Sequence, residues 1–289
     1  MTDSTMPAAA AGNRTGWRHD LARLMRSPAF LIGAGIVGFW VACAIFGPVV
    51  VPHDPFADNM MRTLLPPSAE NWFGTDQLGR DVFSRVIVGS RDILIVAPAA
   101  TLLSTVLGTA LGLVMGYFGG WVDEVLSRLV DALLALPTVI VALLALTALG
   151  TSTVTMILVI AFTFAPIIAR TLRAAVLSER NLDYVAAAGL RREKLSYILF
   201  AEILPNVIPP ILVEATVRLG YAIFTVATLS FIGFGIQPPS PDWGLSVSAN
   251  YGLIGGGYWW TVLFDASAIA SLVIGINLVA DSIESTLND

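Results

Sequence analysis

Charge is scarce in this chain. Sixteen Lys+Arg and 21 Asp+Glu among 289 residues make up only 13% of it, roughly half the share of a soluble domain. Lys194 is the sole lysine, and Glu193 precedes it, so the Gly-Lys-Ser/Thr ending of a nucleotide phosphate-binding loop is absent. One cysteine, Cys43, excludes a disulfide framework and a thiolate metal site, and its apolar run predicts a passive buried thiol. The only histidines, His19 and His53, fall on opposite sides of the first apolar run, so they predict no shared metal site. A net charge of −5 with no basic or acidic tail predicts no nucleic-acid partner. No nucleophile–base set assembles from so few reactive side chains, so no catalytic residue is assigned.

What fills the chain instead is apolar surface, 56% of residues with a mean hydropathy of +0.77. Charge-free runs cover residues 27–52, 93–122 and 132–169. Two further apolar runs cover 205–235, interrupted by Glu214 and Arg218, and 262–283, which contains Asp265 and Asp281. Residues 132–169 are too long for one span and are expected to break near Gly150-Thr151-Ser152-Thr153 into two helices. The expectation is an all-α integral membrane protein with about six transmembrane helices, each long enough to cross about 30 Å of hydrocarbon. No linker separates the runs, so residues 27–289 read as one transmembrane domain. Residues 1–26 read as a cytoplasmic segment whose Ala/Thr/Gly-rich beginning, 1–16, is expected to be disordered. Arg14, Arg18, Arg23, Arg26, Arg128, Arg170, Arg173, Arg180, Arg191, Arg192 and Lys194 fall on one side of such a bundle. Arg62, Arg80, Arg85 and Arg91 fall on the other. That bias predicts a multi-pass protein of the cytoplasmic membrane, surrounded by lipid, with both termini in the cytoplasm.

Three segments lie outside the spans: an outer segment 52–92, a cytoplasmic segment 171–206 and an outer segment 236–265. The last carries Trp243, Trp259 and Trp260, which read as interfacial anchors. In the cytoplasmic segment, Asp183 is followed by Ala186, Ala187, Ala188 and Gly189, then Arg191, Arg192 and Glu193. Small residues permit close approach of another surface and the charges could fix its register; a plain surface loop is the other reading. In the first outer segment, Gly74 and Gly79 permit tight turns around Thr75, Asp76, Arg80, Asp81 and Arg85. The spacing places Asp81 and Arg85 on one helical face. That cluster reads either as an outer gate or docking surface, or as a helix stapled by its own charges. Glu214 and Arg218, four apart inside a span, are expected to pair; the pair reads as structural, facing a subunit interface, or as a functional site within the membrane.

The cytoplasmic segment resembles the "EAA" loop of ABC importer permeases, in which two small residues lie about 17 positions before a Leu-Pro. Here Ala187 and Ala188 precede Leu204-Pro205. The stretch from Phe73-Gly74-Thr75-Asp76 through Gly79-Arg80-Asp81 to Ser84-Arg85 resembles the FGTDxxGRDxxSR motif of the dipeptide/oligopeptide/nickel branch, in its second, C-type, permease subunit. Leu229–Gly235, Gln237-Pro238-Pro239, Trp243-Gly244, Asn277-Leu278 and Asp281 match in order. The resemblance spans residue 25 to the end and implies a type I ABC importer permease that translocates peptides or a related solute. It also implies the partners: a paralogous permease, two ATPase subunits or a fused pair that would bind ATP and Mg, and an extracytoplasmic binding protein. The chain itself would carry no cofactor, and the segment 183–193 would be its ATPase-coupling element. One departure stands out. The family's glycine after the paired alanines is replaced by Arg192, with Gly189 directly after Ala188, so the loop's turn is expected to be displaced. The alternative, a secondary transporter or channel-like protein without ATPase subunits, would call for an inverted repeat or ion-coupling carboxylates in the membrane, and neither stands out.

Overall fold

The computed structural model describes residues 23–288, so the expectations for residues 1–16, Arg18 and His19 lie outside the described residues. Nine helices carry the described fold: α1 (Pro28–Val50), α2 (Val82–Phe118), α3 (Gly120–Leu134), α4 (Thr138–Leu149), α5 (Thr153–Arg180), α6 (Asp183–Leu190), α7 (Ile208–Ile232), α8 (Trp243–Asn250) and α9 (Trp260–Asn288). Short helical turns and one π-helical stretch, Ile198–Ile203, fill part of the connections. Five of these, α1, α2, α5, α7 and α9, are each long and apolar enough to cross a membrane. Counting the pair α3–α4, bent by 88°, as one span brings the number to six.

That bend corrects one boundary. The apolar run 132–169 does break at Gly150-Thr151-Ser152, where Ser152 caps α5 by accepting from the Thr155 N–H at 3.0 Å. The helix before the break, however, has only 12 residues, about 18 Å and too short to span alone. The turn falls at Pro137, which lacks the N–H needed to continue α3. At the other extreme, α2 has 37 residues, about 56 Å. Its first turns therefore project beyond the hydrocarbon, into what the sequence reads as the outer segment 52–92. Likewise α5 extends to Arg180, well into 171–206.

The core is built around α2 against α5. Gly108, Gly112 and Gly116 form a stripe along α2. A Cβ on each would come within 2.6 Å of the Cβ of Ile168, Leu172 and Val176, respectively. Three successive turns are thus in backbone-close contact, the packing that small-xxx-small spacing gives in membranes. The stripe is readable from spacing alone. At the far end of this pair, Arg180 donates to the Tyr117 carbonyl at 2.8 Å and covers the C-terminus of α2. Arg173 binds both carboxylate oxygens of Asp123 at 2.5 and 2.6 Å, fixing α3 to α5. On the opposite flank, α1 crosses α9 where Gly33 meets Gly275; a Cβ on Gly33 would lie 2.6 Å from the Gly275 carbonyl oxygen.

Two of the three tryptophans assigned to the membrane interface are core residues. Trp243 is 1% exposed, packs edge-on against Trp40 at 4.8 Å and donates to the Val86 carbonyl at 2.8 Å. Trp260 is buried and donates to the Thr75 carbonyl at 3.2 Å. Trp259 alone is well exposed. Sequence position relative to a span does not say which side of a ring finds a neighbour.

Candidate functional site

Two constructions sit at opposite ends of α2: a platform where the helix begins, and a loop beside its Arg180-capped end.

The platform folds residues 52–81 back over the start of α2. Gly79, at φ +73, lies where a Cβ would be 1.8 Å from the Asn59 carbonyl oxygen; Gly74, at φ +75, would put one 2.6 Å from that of Leu65. Both positions demand glycine for conformation and for space. The Thr75 hydroxyl donates to the Arg62 carbonyl and accepts from the Leu65 N–H, so it pins the returning strand of chain. Asp76, 3% exposed, accepts from the N–H groups of Leu78 and Arg80 and from Arg80 Nε at 2.8 Å. Asp81 caps α2, accepting from the Ser84 N–H and hydroxyl and from Asn71 Nδ2, each within 2.8 Å.

The expected Asp81–Arg85 pair does not form. Asp81 is consumed as the cap, and Arg85 turns to Asp76 at 3.8 Å and donates to the carbonyls of Pro55 and Ser240. Arg85, 5% exposed, therefore joins three chain segments: 52–58, the motif itself and the Pro239-Ser240 loop. The motif's charges face inward. Facing outward over them, Phe56, Met60, Met61 and Trp72 are exposed beside the exposed carboxylates Asp54, Asp58 and Glu70.

Beneath the platform lies a polar set that sequence reasoning passed over. Asp242 caps α8, accepting from the Leu245 N–H at 2.8 Å, yet it is 0% exposed and its Oδ2 has no partner. Burial pushes its carboxyl up to about 6. Ser246 and Asn250 share its face of α8, and each has a buried oxygen without a partner, as does Asp265 on the adjoining α9. Asp265 was legible as a charge inside an apolar run; its burial was not.

At the other end, α6 is the small-residue helix. Val185 and Ala188 pack into a core with Ile198, Leu199, Ile203, Leu172 and Val176. Ala188 is 0% exposed, so it is a packing residue of this chain and offers no surface to a partner, contrary to the expectation that the small residues 186–189 all permit close approach of another surface. The free face carries Asp183, Ala186, Gly189 and Leu190, with Ala187 half-buried beside it; Leu190 is 86% exposed. Nothing stands within 4 Å of where a Gly189 Cβ would be.

The displaced-turn expectation is also corrected. Helix α6 ends with Arg192 donating to the Gly189 carbonyl and Glu193 donating to that of Ala188, the paired bonds of a Schellman turn. Its left-handed residue is Arg192, at φ +56. The turn stands at the family's glycine position, and an arginine adopts the glycine conformation there. Arg191 is bound within the loop, to Glu193 at 3.5 Å and Glu202 at 3.3 Å. Asp183 lies in the first turn of α6, where a carboxylate suits the helix dipole.

Tyr184 ties the loop to the bundle. Its hydroxyl donates to Glu179 at the end of α5 at 2.7 Å and accepts from Asn206, just before α7, at 3.1 Å. Burial, with the Glu179 bond second, pushes the phenol up to about 12. Glu214 and Arg218 pair at 2.7 Å on α7, with Thr171 of α5 donating to Glu214 at 3.4 Å and the guanidinium 5.0 Å from the Tyr221 ring.

Comparison with known proteins places this geometry. The family described as binding-protein-dependent transport system inner membrane component matches residues 108–288, and the N-terminal TM domain of oligopeptide transport permease C matches residues 15–67. The dipeptide transport system permease protein DppC of Alkalihalophilus pseudofirmus is 36% identical over 94% of this chain and 89% of that protein. The oligopeptide transport system permease protein OppC of Bacillus subtilis is 34% identical over 94% and 89%. Among solved structures, an inward-facing MetNI methionine ABC transporter matches with a TM-score of 0.56, covering 71% of this chain and 95% of that one. At 19% identity it speaks for the fold alone.

Proposed function

The chain belongs to the family of binding-protein-dependent transport system inner membrane components, a multi-pass permease subunit of an ABC importer without enzymatic activity of its own, and on that premise we propose that it carries short peptides inward, driven by ATPase subunits docked on α6. The single observation behind the docking is the split of α6. One face is locked into this chain by Val185, Ala188 and Tyr184, while Ala186, Gly189 and Leu190 stand free. A small-residue surface with one protruding leucine suits a groove on a partner, and the locked face passes a displacement on as rigid-body motion.

In this reading the loop end faces the cytoplasm, as the arginine bias favours. Closure of two ATP- and Mg-bound partner subunits, separate or fused, moves α6; α6 moves α5 through the shared core and the Tyr184 clasp; α5 moves α2 through the glycine stripe. Because α2 is a continuous helix, its far end carries the platform with it, and there the exposed Phe56, Met60 and Trp72 would meet the binding protein. A second, paralogous permease completes the pathway. The Glu214–Arg218 pair keeps α7 neutral as it moves. Peptide is the substrate class favoured by the relatives' names.

The test is uptake of labelled dipeptide by the assembled complex in proteoliposomes. Leu190→Glu should abolish ATP-driven uptake and weaken ATPase co-purification while leaving the permease folded. Uptake that runs on a proton gradient with no ATPase present would instead establish a secondary transporter.

A further inference from the structure

We propose that the cleft between α1 and α2 is a binding site for one anionic, hydroxyl-bearing phospholipid, with Arg91 holding its phosphate. This rests on the chain's membrane location and not on peptide transport.

Two hollows meet at Arg91. One is a trough of about 570 Å³ walled by Val41, Ala44, Ile95, Pro98, Leu219 and Ile276, in which Arg91 is the only charged residue. The other, toward the platform, is a cavity of about 770 Å³ in which His53, Asp54, Asp92, Gln237 and Ser240 stand among proline, valine and phenylalanine side chains, the two carboxylates and the serine offering acceptors to headgroup hydroxyls. Arg91 lines both. An amphiphile with its tail in the first and its head in the second would place its phosphate at the junction. A peptide fits less well, because the trough walls are helices whose backbones are largely bonded to themselves.

The charge is available. Arg91 is exposed and forms no ion pair among the described residues, while its neighbour Asp92 is engaged by the Ser240 hydroxyl. An unpaired guanidinium at a trough opening onto lipid is costly unless it reaches phosphate. The trough is also open sideways: Val41, Ile45 and Ile95 are 39%, 63% and 50% exposed.

Two prolines add acceptors. Pro98 cannot donate to the Leu94 carbonyl, and Pro48 cannot donate to that of Ala44, so both oxygens lose their usual helix partner. Leu94 and Ala44 both line the trough, and Pro48 lines the second cavity. Freed carbonyls beside a cation suit a headgroup with hydroxyl donors and a phosphate, as in phosphatidylglycerol.

The experiment places the assembled importer in nanodiscs of phosphatidylcholine containing a minority of phosphatidylglycerol, and identifies the lipids retained by native mass spectrometry. Retained phosphatidylglycerol should be enriched about fivefold over the bulk, the factor one interfacial arginine contributes against an anionic surface. Arg91→Gln should erase the enrichment and Arg91→Lys should keep most of it. Val41→Trp, at an exposed wall position, should expel the lipid with Arg91 intact. No enrichment in the parent complex, or equal enrichment in Arg91→Gln, would overturn the proposal. Enrichment surviving Val41→Trp would reduce Arg91 to surface adsorption and overturn the trough. Loss of dipeptide uptake in Arg91→Gln, with no lipid enriched in the parent, would assign Arg91 to the peptide pathway instead.

Discussion

The platform and the loop are built from the same kinds of residue, glycine, aspartate, glutamate and arginine, and use them in opposite ways. On the platform, Asp76, Asp81 and Arg85 are at most 5% exposed and spend their bonds on neighbouring backbone and side chains of the same chain. Glycine occupies φ-positive positions where a Cβ would strike a carbonyl. In the loop, the charges are solvent-exposed, the left-handed position is filled by Arg192, and Gly189 faces empty space. Internal satisfaction makes the platform a rigid part of the chain. The loop keeps surface in reserve for another chain.

Breaking Arg85 should therefore cost the most. Arg85→Met strands Asp76 among buried groups without its second cation, and should lower stability by about 4 kcal/mol, measured by thermal unfolding of the solubilised complex. An equivalent change in the loop, Arg191→Met, removes only exposed pairs and should cost under about 1 kcal/mol; equal losses would erase the contrast. Next comes Gly79→Ala, which should cost about 3 kcal/mol, because the added methyl overlaps the Asn59 carbonyl and the backbone is left-handed.

Asp242 sharpens the comparison through pH. Its folded carboxyl titrates near 6, above the ordinary value of 3.8. The folded state thus holds the proton more tightly, and stability falls as pH rises from about 4 to about 6, then stays low. Asp242→Asn keeps the helix cap and removes the charge, so this carboxylate's share of the pH-dependent fall should vanish. Stability above pH 6 should rise by about 2 kcal/mol, read from unfolding midpoints across that range. The smallest effect is expected at Arg192→Gly. Relief of the left-handed strain should stabilise the loop by up to about 1 kcal/mol, offset in part by the freedom glycine gains when unfolded. If uptake falls while stability rises, Arg192 serves the ATPase contact rather than the turn.

How far the sequence carried is visible residue by residue. The break at Gly150-Thr151-Ser152, the Glu214–Arg218 pair and the tight turns at Gly74 and Gly79 were all readable, because each is a local pattern. The partner of Arg85 was not: helical spacing pointed to Asp81, whereas the N-cap claimed that carboxylate first. Nor was the inward turn of Ala188, since α6 is equally small on two faces and only Ile198, Leu199 and Ile203 decide which is covered. The Gly108-Gly112-Gly116 stripe was legible and passed unread.

Membrane residence, helical spans and family were determined by the sequence alone, because the cost of placing charge in hydrocarbon accumulates along the chain and needs no knowledge of neighbours. Which carboxylates are buried, which tryptophans are core and which face of α6 is free were decided only by tertiary structure. Each depends on atoms brought together from distant positions, Trp243 under Val86 or Arg85 against Ser240, and on which of several adequate partners arrives first in space.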